Sequence, residues 1–183
     1  MSYNEIRIEK SKIKPEGQDL SKGSGKAGVY VWGFYNNNAF HPLYVGKSTN
    51  LFERLIQHYC RLRGGEYRML DINSMLNGIP GAKDEIYEPS CFNTSMINYP
   101  KTTTIFDLQT LLENFVFRYK ELCQEEDRRD GEIYLTNEIA VKLGATKKKY
   151  KDVLLSGKTG ENSKKFTCQL ELAKMLEGIK PVE

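Results

Sequence analysis

A chain of 183 residues with 39% hydrophobic and 28% charged side chains has an ordinary globular composition, sized for one domain or for one core plus a small appendage. No apolar run reaches the roughly 18 to 20 residues needed to span a bilayer, which excludes a helical membrane protein. A net charge of +3 is too small to identify a nucleic-acid partner, so the distribution of charge along the chain carries the information.

Residues 1–26 read as an N-terminal arm, with weak alternation at Ile6, Ile8 and Ile13 and lysines at 10, 12, 14, 22 and 26. Those lysines are either solvated or placed to brush a phosphate backbone. The arm has no apolar signal core, so the expected location is the cytoplasm. Cys60, Cys91, Cys123 and Cys168 have neither CxxC spacing nor a compact disulfide framework, and are expected to be reduced and mostly buried.

From Gly28 the residues Val29, Tyr30, Val31, Trp32, Gly33 and Phe34 form a β-branched and aromatic run suited to a strand covered on both faces. Asn36, Asn37 and Asn38 tolerate turn backbones, and a second run over residues 43–46 completes a hairpin. Its loop is expected to exceed the tightest type, with His41 and Pro42 marking re-entry. Gly46-Lys47-Ser48 ends like a phosphate-binding loop, but that motif needs a glycine where His41 stands. Gly46 is better read as the turn out of the strand, and Asn50 with Glu53 as a capping box.

The helix over residues 51–62 has an apolar stripe of Leu51, Leu55, Tyr59 and Leu62. Arg54, His58 and Arg61 fall on another side at i, i+4 and i+7, a row that suits a phosphate edge or a solvated face. Residues 64–104 are longer than a connection needs; a strand near residues 85–88 is expected to complete a three-stranded sheet. Arg61, Arg63 and Arg68 would supply charge there, for DNA contact if the segment is more than packing.

Between residues 105 and 123, Leu108, Leu111, Leu112, Phe115, Val116, Tyr119 and Leu122 follow helical periodicity, which predicts a helix carrying Glu113. After CQEEDRRDGE a second unit is expected over residues 128–183, where Ile139-Ala140, Leu143-Gly144, Tyr150 and Val153 fit a helix-turn-helix. Its second helix would carry Lys147, Lys148, Lys149 and Lys151. Residues 142–165 hold eight lysines against Asp152 and Glu161, an excess of six positive charges that suits a DNA backbone.

Gly28-Val29-Tyr30, then after thirteen residues Tyr44-Val45-Gly46, then Arg54 and His58, resembles the GIY-YIG nuclease superfamily, clearly over residues 27–63 and more loosely to about residue 125. Valine replaces isoleucine in both motifs, and no asparagine clearly matches the one that many members carry after the glutamate. The resemblance implies an α+β domain over residues 27–127, a small three-stranded mixed or antiparallel sheet flanked by helices, followed by the helical C-terminal unit. It also implies a metal-dependent endonuclease of restriction or mobile-element type that hydrolyses double-stranded DNA. Tyr30 would act as general base, helped by Lys47, His58 or metal-bound water, because free tyrosine with a pKa of about 10 is poorly ionised. Arg54 would clamp phosphate, Tyr44 would position water or a phosphate oxygen, and Glu113 would hold Mg2+ or Mn2+ near the leaving group, with Glu121, Glu125 and Glu126 as competing carboxylates towards the exposed end. A cut through both strands of a palindrome requires two sites, usually in a homodimer. A DNA-binding regulator that keeps the fold without catalysis, and a structure-specific repair nuclease, are the alternatives.

Overall fold

The computed structural model describes residues 3–7, 25–36, 38–63, 109, 112–145, 157–160 and 168–180. Within them the chain forms a four-stranded antiparallel sheet, β1 (Asn4–Arg7), β2 (Gly28–Asn36), β3 (Ala39–Ser48) and β4 (Phe115–Glu121), in the order β1-β4-β2-β3. Helix α1 is Leu51–Arg63, α2 is Glu125–Lys142 and α3 is Gln169–Lys174. The α+β class stands, and the sheet is antiparallel with four strands where three were expected. None of the helices is long and apolar enough to cross a membrane.

The β2-β3 hairpin is tighter than expected. β2 ends at Asn36 and β3 begins at Ala39, so reversal takes two residues, with Asn38 at φ 59° where asparagine tolerates the left-handed region. His41 and Pro42 lie inside β3 instead of before it. A proline is admissible there because β3 is an edge strand and the register shifts between Trp32 and Gly33.

The helix expected over residues 105–123 is replaced from Phe115 onward by β4, which lies between β1 and β2. Phe115 and Val116 fit both templates: they continue an i, i+3, i+4 stripe, and with Phe117 they also make the short unbroken apolar run of a strand buried on both faces. The β-branched and aromatic content favours the strand. Residues 4–7, expected in the solvated arm, pair with β4 as an edge strand. The segment that was to supply the third strand, near residues 85–88, lies outside the described residues.

Alternation along the strands divides the core into two layers. Val29, Val31, Val45 and Val116 pack with Tyr134, Leu135, Ile139, Leu172 and Met175, so α2 and α3 cover one face. Tyr30, Trp32, Phe34, Phe115 and Phe117 pack with Leu51, Leu55 and Leu62 of α1 on the other. Gly131 lets α2 approach closely: a β-carbon there would meet Val29 at 3.1 Å and Leu172 at 3.3 Å. The boundary expected between residues 127 and 128 falls inside α2, whose apolar face is part of the sheet's own core.

Arg118 is 1% exposed, and its guanidinium ties together three parts of the chain. It donates to Glu5 Oε2 at 2.7 Å, to the carbonyls of Met175 and Glu177 at 2.7 and 2.6 Å, and to the Tyr35 hydroxyl. Such donor satisfaction makes a buried cation tolerable.

α2 ends in a Schellman turn: Gly144, at φ 76°, donates to the Val141 carbonyl, and Ala145 to the Ala140 carbonyl. That is the turn glycine expected of a helix-turn-helix. The second helix of that motif lies outside the described residues. Cys60 and Cys123 are exposed and Cys168 is half-buried, all three free; burial was expected for most. Cys91 lies outside the described residues.

Candidate active site

The register of β2 against β3 sets Tyr30 opposite Gly46. A β-carbon on Gly46 would stand 2.4 Å from the Tyr30 hydroxyl and 2.7 Å from the ring carbon bearing it, so glycine leaves the space in which the phenol lies. This is a steric requirement for Gly46 beyond the turn role expected of it.

α1 starts two residues after β3. The Ser48 hydroxyl accepts from the Asn50 amide at 3.0 Å, the Asn50 side chain accepts from the Glu53 amide at 3.2 Å, and its Nδ2 donates to Glu53 Oε2 at 3.3 Å. Asn50 therefore caps α1 through the Glu53 amide, but the return bond of a capping box is replaced: the Asn50 N–H goes to Ser48 and Glu53 meets the Asn50 side chain instead. It seats the helix so that Leu51, Leu55, His58 and Leu62 form its buried face, with Tyr59 half-buried beside them. His58 was expected on the outer row with Arg54 and Arg61. Residues 58 and 59 both complete a helical stripe, and the partner that makes burial of the imidazole tolerable belongs to a distant strand.

That partner is Tyr30. Its hydroxyl lies 2.7 Å from His58 Nε2, and both residues are only 2% exposed. Burial pushes the His58 pKa down, and the neighbouring charges of Arg54 and Arg61 add to the effect, taking it to about 3. The imidazole is neutral at physiological pH. With its proton on Nδ1, Nε2 accepts the Tyr30 O–H. Tyr44, half-buried, stacks near-parallel to Tyr30 at 6.2 Å and 9°, and its ring centre is 4.5 Å from that of His58. Tyr30, Tyr44 and His58 are thus brought together.

The remaining expected residues are placed differently. Lys47 follows Gly46 and, by strand alternation, projects to the opposite face, where it pairs with Glu125 in the first turn of α2. Glu125 also binds Arg128 at 2.7 Å. Lys47 is therefore not beside Tyr30. Arg54 is half-buried and donates to Gln57 Oε1 at 3.0 Å, whereas Arg61 and Arg63 are exposed.

Glu113 immediately precedes the turn into β4, half-buried, and accepts from Gln109 Nε2 at 2.7 Å. Tyr30 pairs with Tyr119, whereas Phe115, the strand residue nearest Glu113, pairs with Phe34. Four strand positions separate Phe115 from Tyr119, about 13 Å along the sheet. Among the described residues no three His, Cys, Asp or Glu side chains converge. Glu113, the one protein ligand expected for Mg2+ or Mn2+, precedes the end of β4 that pairs with Phe34.

Sequence reading weighed Glu125 only as a competitor of Glu113 and passed over Glu132. Spaced i, i+7 on α2, both act electrostatically with Lys47; the half-buried Glu132 has its pKa raised by burial, a shift opposed by Lys47 and Lys158. Their helical spacing was visible within EEDRRDGE, a stretch read as a junction. Arg68, Lys147, Lys148, Lys149, Lys151 and the insertion over residues 64–104 lie outside the described residues. Comparisons with protein-family models, with curated proteins and with solved structures find no match to the chain.

Proposed function

We propose that the protein is a nuclease of GIY-YIG type that hydrolyses phosphodiester bonds in double-stranded DNA, with a restriction or mobile-element role. The observation that carries this reading is the 2.7 Å contact between the Tyr30 hydroxyl and His58 Nε2. A phenol alone is a poor base at neutral pH; the imidazole on its hydroxyl, its pKa held down by burial and then by Arg54 and Arg61, can take the phenolic proton once substrate phosphate offsets those two charges. In the proposed step a water proton moves to Tyr30 as the phenolic proton moves to His58 Nε2. The water oxygen bonds to phosphorus, and the bond to the leaving oxygen breaks, that oxygen taking a proton from solvent. Arg54 neutralises charge that grows on the phosphate, and the exposed Arg61 and Arg63 at the end of α1 hold the flanking backbone.

The Mg2+ or Mn2+ that the resemblance implies would take Glu113 as its protein ligand and would stabilise charge on the leaving oxygen, and the step is written on the chain's own groups. The test is incubation with supercoiled plasmid in Mg2+ or Mn2+ and mapping of the ends. Wild-type protein cuts, and Tyr30→Phe, which removes only the hydroxyl, is folded and inactive. Fixed ends on both strands identify a sequence-specific enzyme, and full activity of Tyr30→Phe sinks the assignment.

The 2% exposure of both Tyr30 and His58 favours a second reading, a DNA-binding regulator in which the pair is a satisfied structural contact. Retardation of DNA without cutting by the wild-type protein selects it.

A further inference from the structure

We propose that Trp32 is the positioning residue of this site, holding Tyr44 and His58 in their orientations around Tyr30. Trp32 has no exposed surface and lies two residues beyond Tyr30 on the same face of β2. Its ring stacks on Tyr44 at 5.7 Å and 13°, and meets His58 at 5.6 Å and 47°. Phe115 of β4 backs the indole at 5.5 Å. Tyr44 and His58 come from β3 and α1, and Trp32 is a β2 side chain that touches both.

The backbone is shaped for this contact. Trp32 pairs with Tyr44, but the next residue, Gly33, pairs with Pro42, so Leu43 is the extra residue of an irregularity immediately beyond the indole. Such a bulge re-aims side chains on the strand that carries it. The parallel stack on Trp32 thus fixes the plane of Tyr44, and the tilted contact walls one side of His58 beside Tyr30. Among the described residues, the charged and titratable groups that face His58 include Tyr30 from β2, Tyr44 from β3, and Arg54 and Arg61 from α1. None of these replaces the wall that an indole makes.

The experiment has two arms, of which only the second rests on the proposed nuclease reading. In the first, the ring protons of His58 are followed by NMR against pH in wild-type protein, Trp32→Phe and Trp32→Leu, with His41→Gln used to assign the two histidines. Wild-type His58 stays neutral down to about pH 4, Trp32→Leu moves its midpoint up by at least about one pH unit as water reaches the ring, and Trp32→Phe falls between. An unchanged His58 midpoint in folded Trp32→Leu overturns the proposal. Should the leucine variant not fold, an unchanged midpoint in Trp32→Phe does so instead. In the second arm, kcat on plasmid falls about tenfold in Trp32→Leu with KM unchanged, and phenylalanine restores most of it. Equal kcat in all three proteins overturns the positioning role. A wild-type protein that does not cut refutes the nuclease reading and leaves the first arm to decide on Trp32.

Discussion

Tyr30 and Gly46 are register partners across β2 and β3, and the Tyr30 hydroxyl occupies the space beside the Gly46 α-carbon that a side chain would need. Gly46→Ala puts a methyl group 2.4 Å from that oxygen, so either the phenol swings off His58 or the strands part. The expected cost is about 1 to 3 kcal/mol of stability, typical of overpacking. DNA cleavage is lost with the contact. Urea denaturation and a plasmid-nicking assay read the two effects separately; a variant with both unchanged would mean that the ring is not confined by the glycine.

The depressed pKa of His58 makes stability depend on pH with a definite sign. The imidazole titrates near its ordinary 6.5 in the unfolded chain and at about 3 in the folded one, so between those values the unfolded state binds the extra proton. Stability conferred by the neutral, buried ring is complete above 6.5 and is lost as pH falls towards 3. The slope from this one group is about 1.4 kcal/mol per pH unit within the window. His41, also lowered by burial, contributes in the same direction. Urea midpoints measured from pH 7 to pH 4 on wild type and His58→Gln isolate the His58 share, because the variant keeps His41. Parallel curves for the two proteins would show that His58 does not titrate with unfolding.

The strands and helix that carry Tyr30, Tyr44, Gly46 and His58 were legible because each is specified locally. Alternating and β-branched residues mark β2 and β3, and Asn50 with Glu53 marks the start of α1. The face of α1 that is buried was not legible at position 58. A histidine reads as polar, and the Tyr30 hydroxyl that meets its buried ring lies twenty-eight residues away in the chain. β4 was misread because an unbroken apolar run has no period of its own, so its neighbours in the sheet decide its conformation. Lys47 shows a third failure. Spacing placed it next to Gly46 in the chain, but a strand turns successive side chains to opposite faces, and it pairs with Glu125 on α2.

Arg118 gives β1 its hold on the sheet. Glu5 is the carboxylate against this 1% exposed guanidinium, and Arg7 binds the other Glu5 oxygen at 2.6 Å. Glu5→Leu leaves a buried cation with only carbonyls and a phenol, at an expected cost of about 2 to 3 kcal/mol. That is below the loss for a fully enclosed pair, because a fifth of the Glu5 side chain is exposed. Lys26→Ala removes the exposed Lys26-Glu121 pair and should leave the unfolding midpoint nearly unmoved, since solvent screens such contacts. Equal destabilisation by the two substitutions would argue against the anchoring role of Glu5.

Glu113 is the metal ligand that the resemblance implies. Phe115, the strand residue nearest to it, lies about 13 Å along β4 from the residue opposite Tyr30. Its carboxylate already accepts from Gln109. Glu113→Ala should fold and lose cleavage at low Mg2+, because its carboxylate is the one protein ligand the resemblance implies for the metal. Tyr30→Phe and His58→Ala, at the dyad itself, should each lower kcat by about a hundredfold or more. Single-turnover cleavage at several Mg2+ concentrations decides the matter. A loss in Glu113→Ala as large as in Tyr30→Phe, relieved by raising Mg2+, would place the metal at the Glu113 end of β4 and require the substrate to bridge the two.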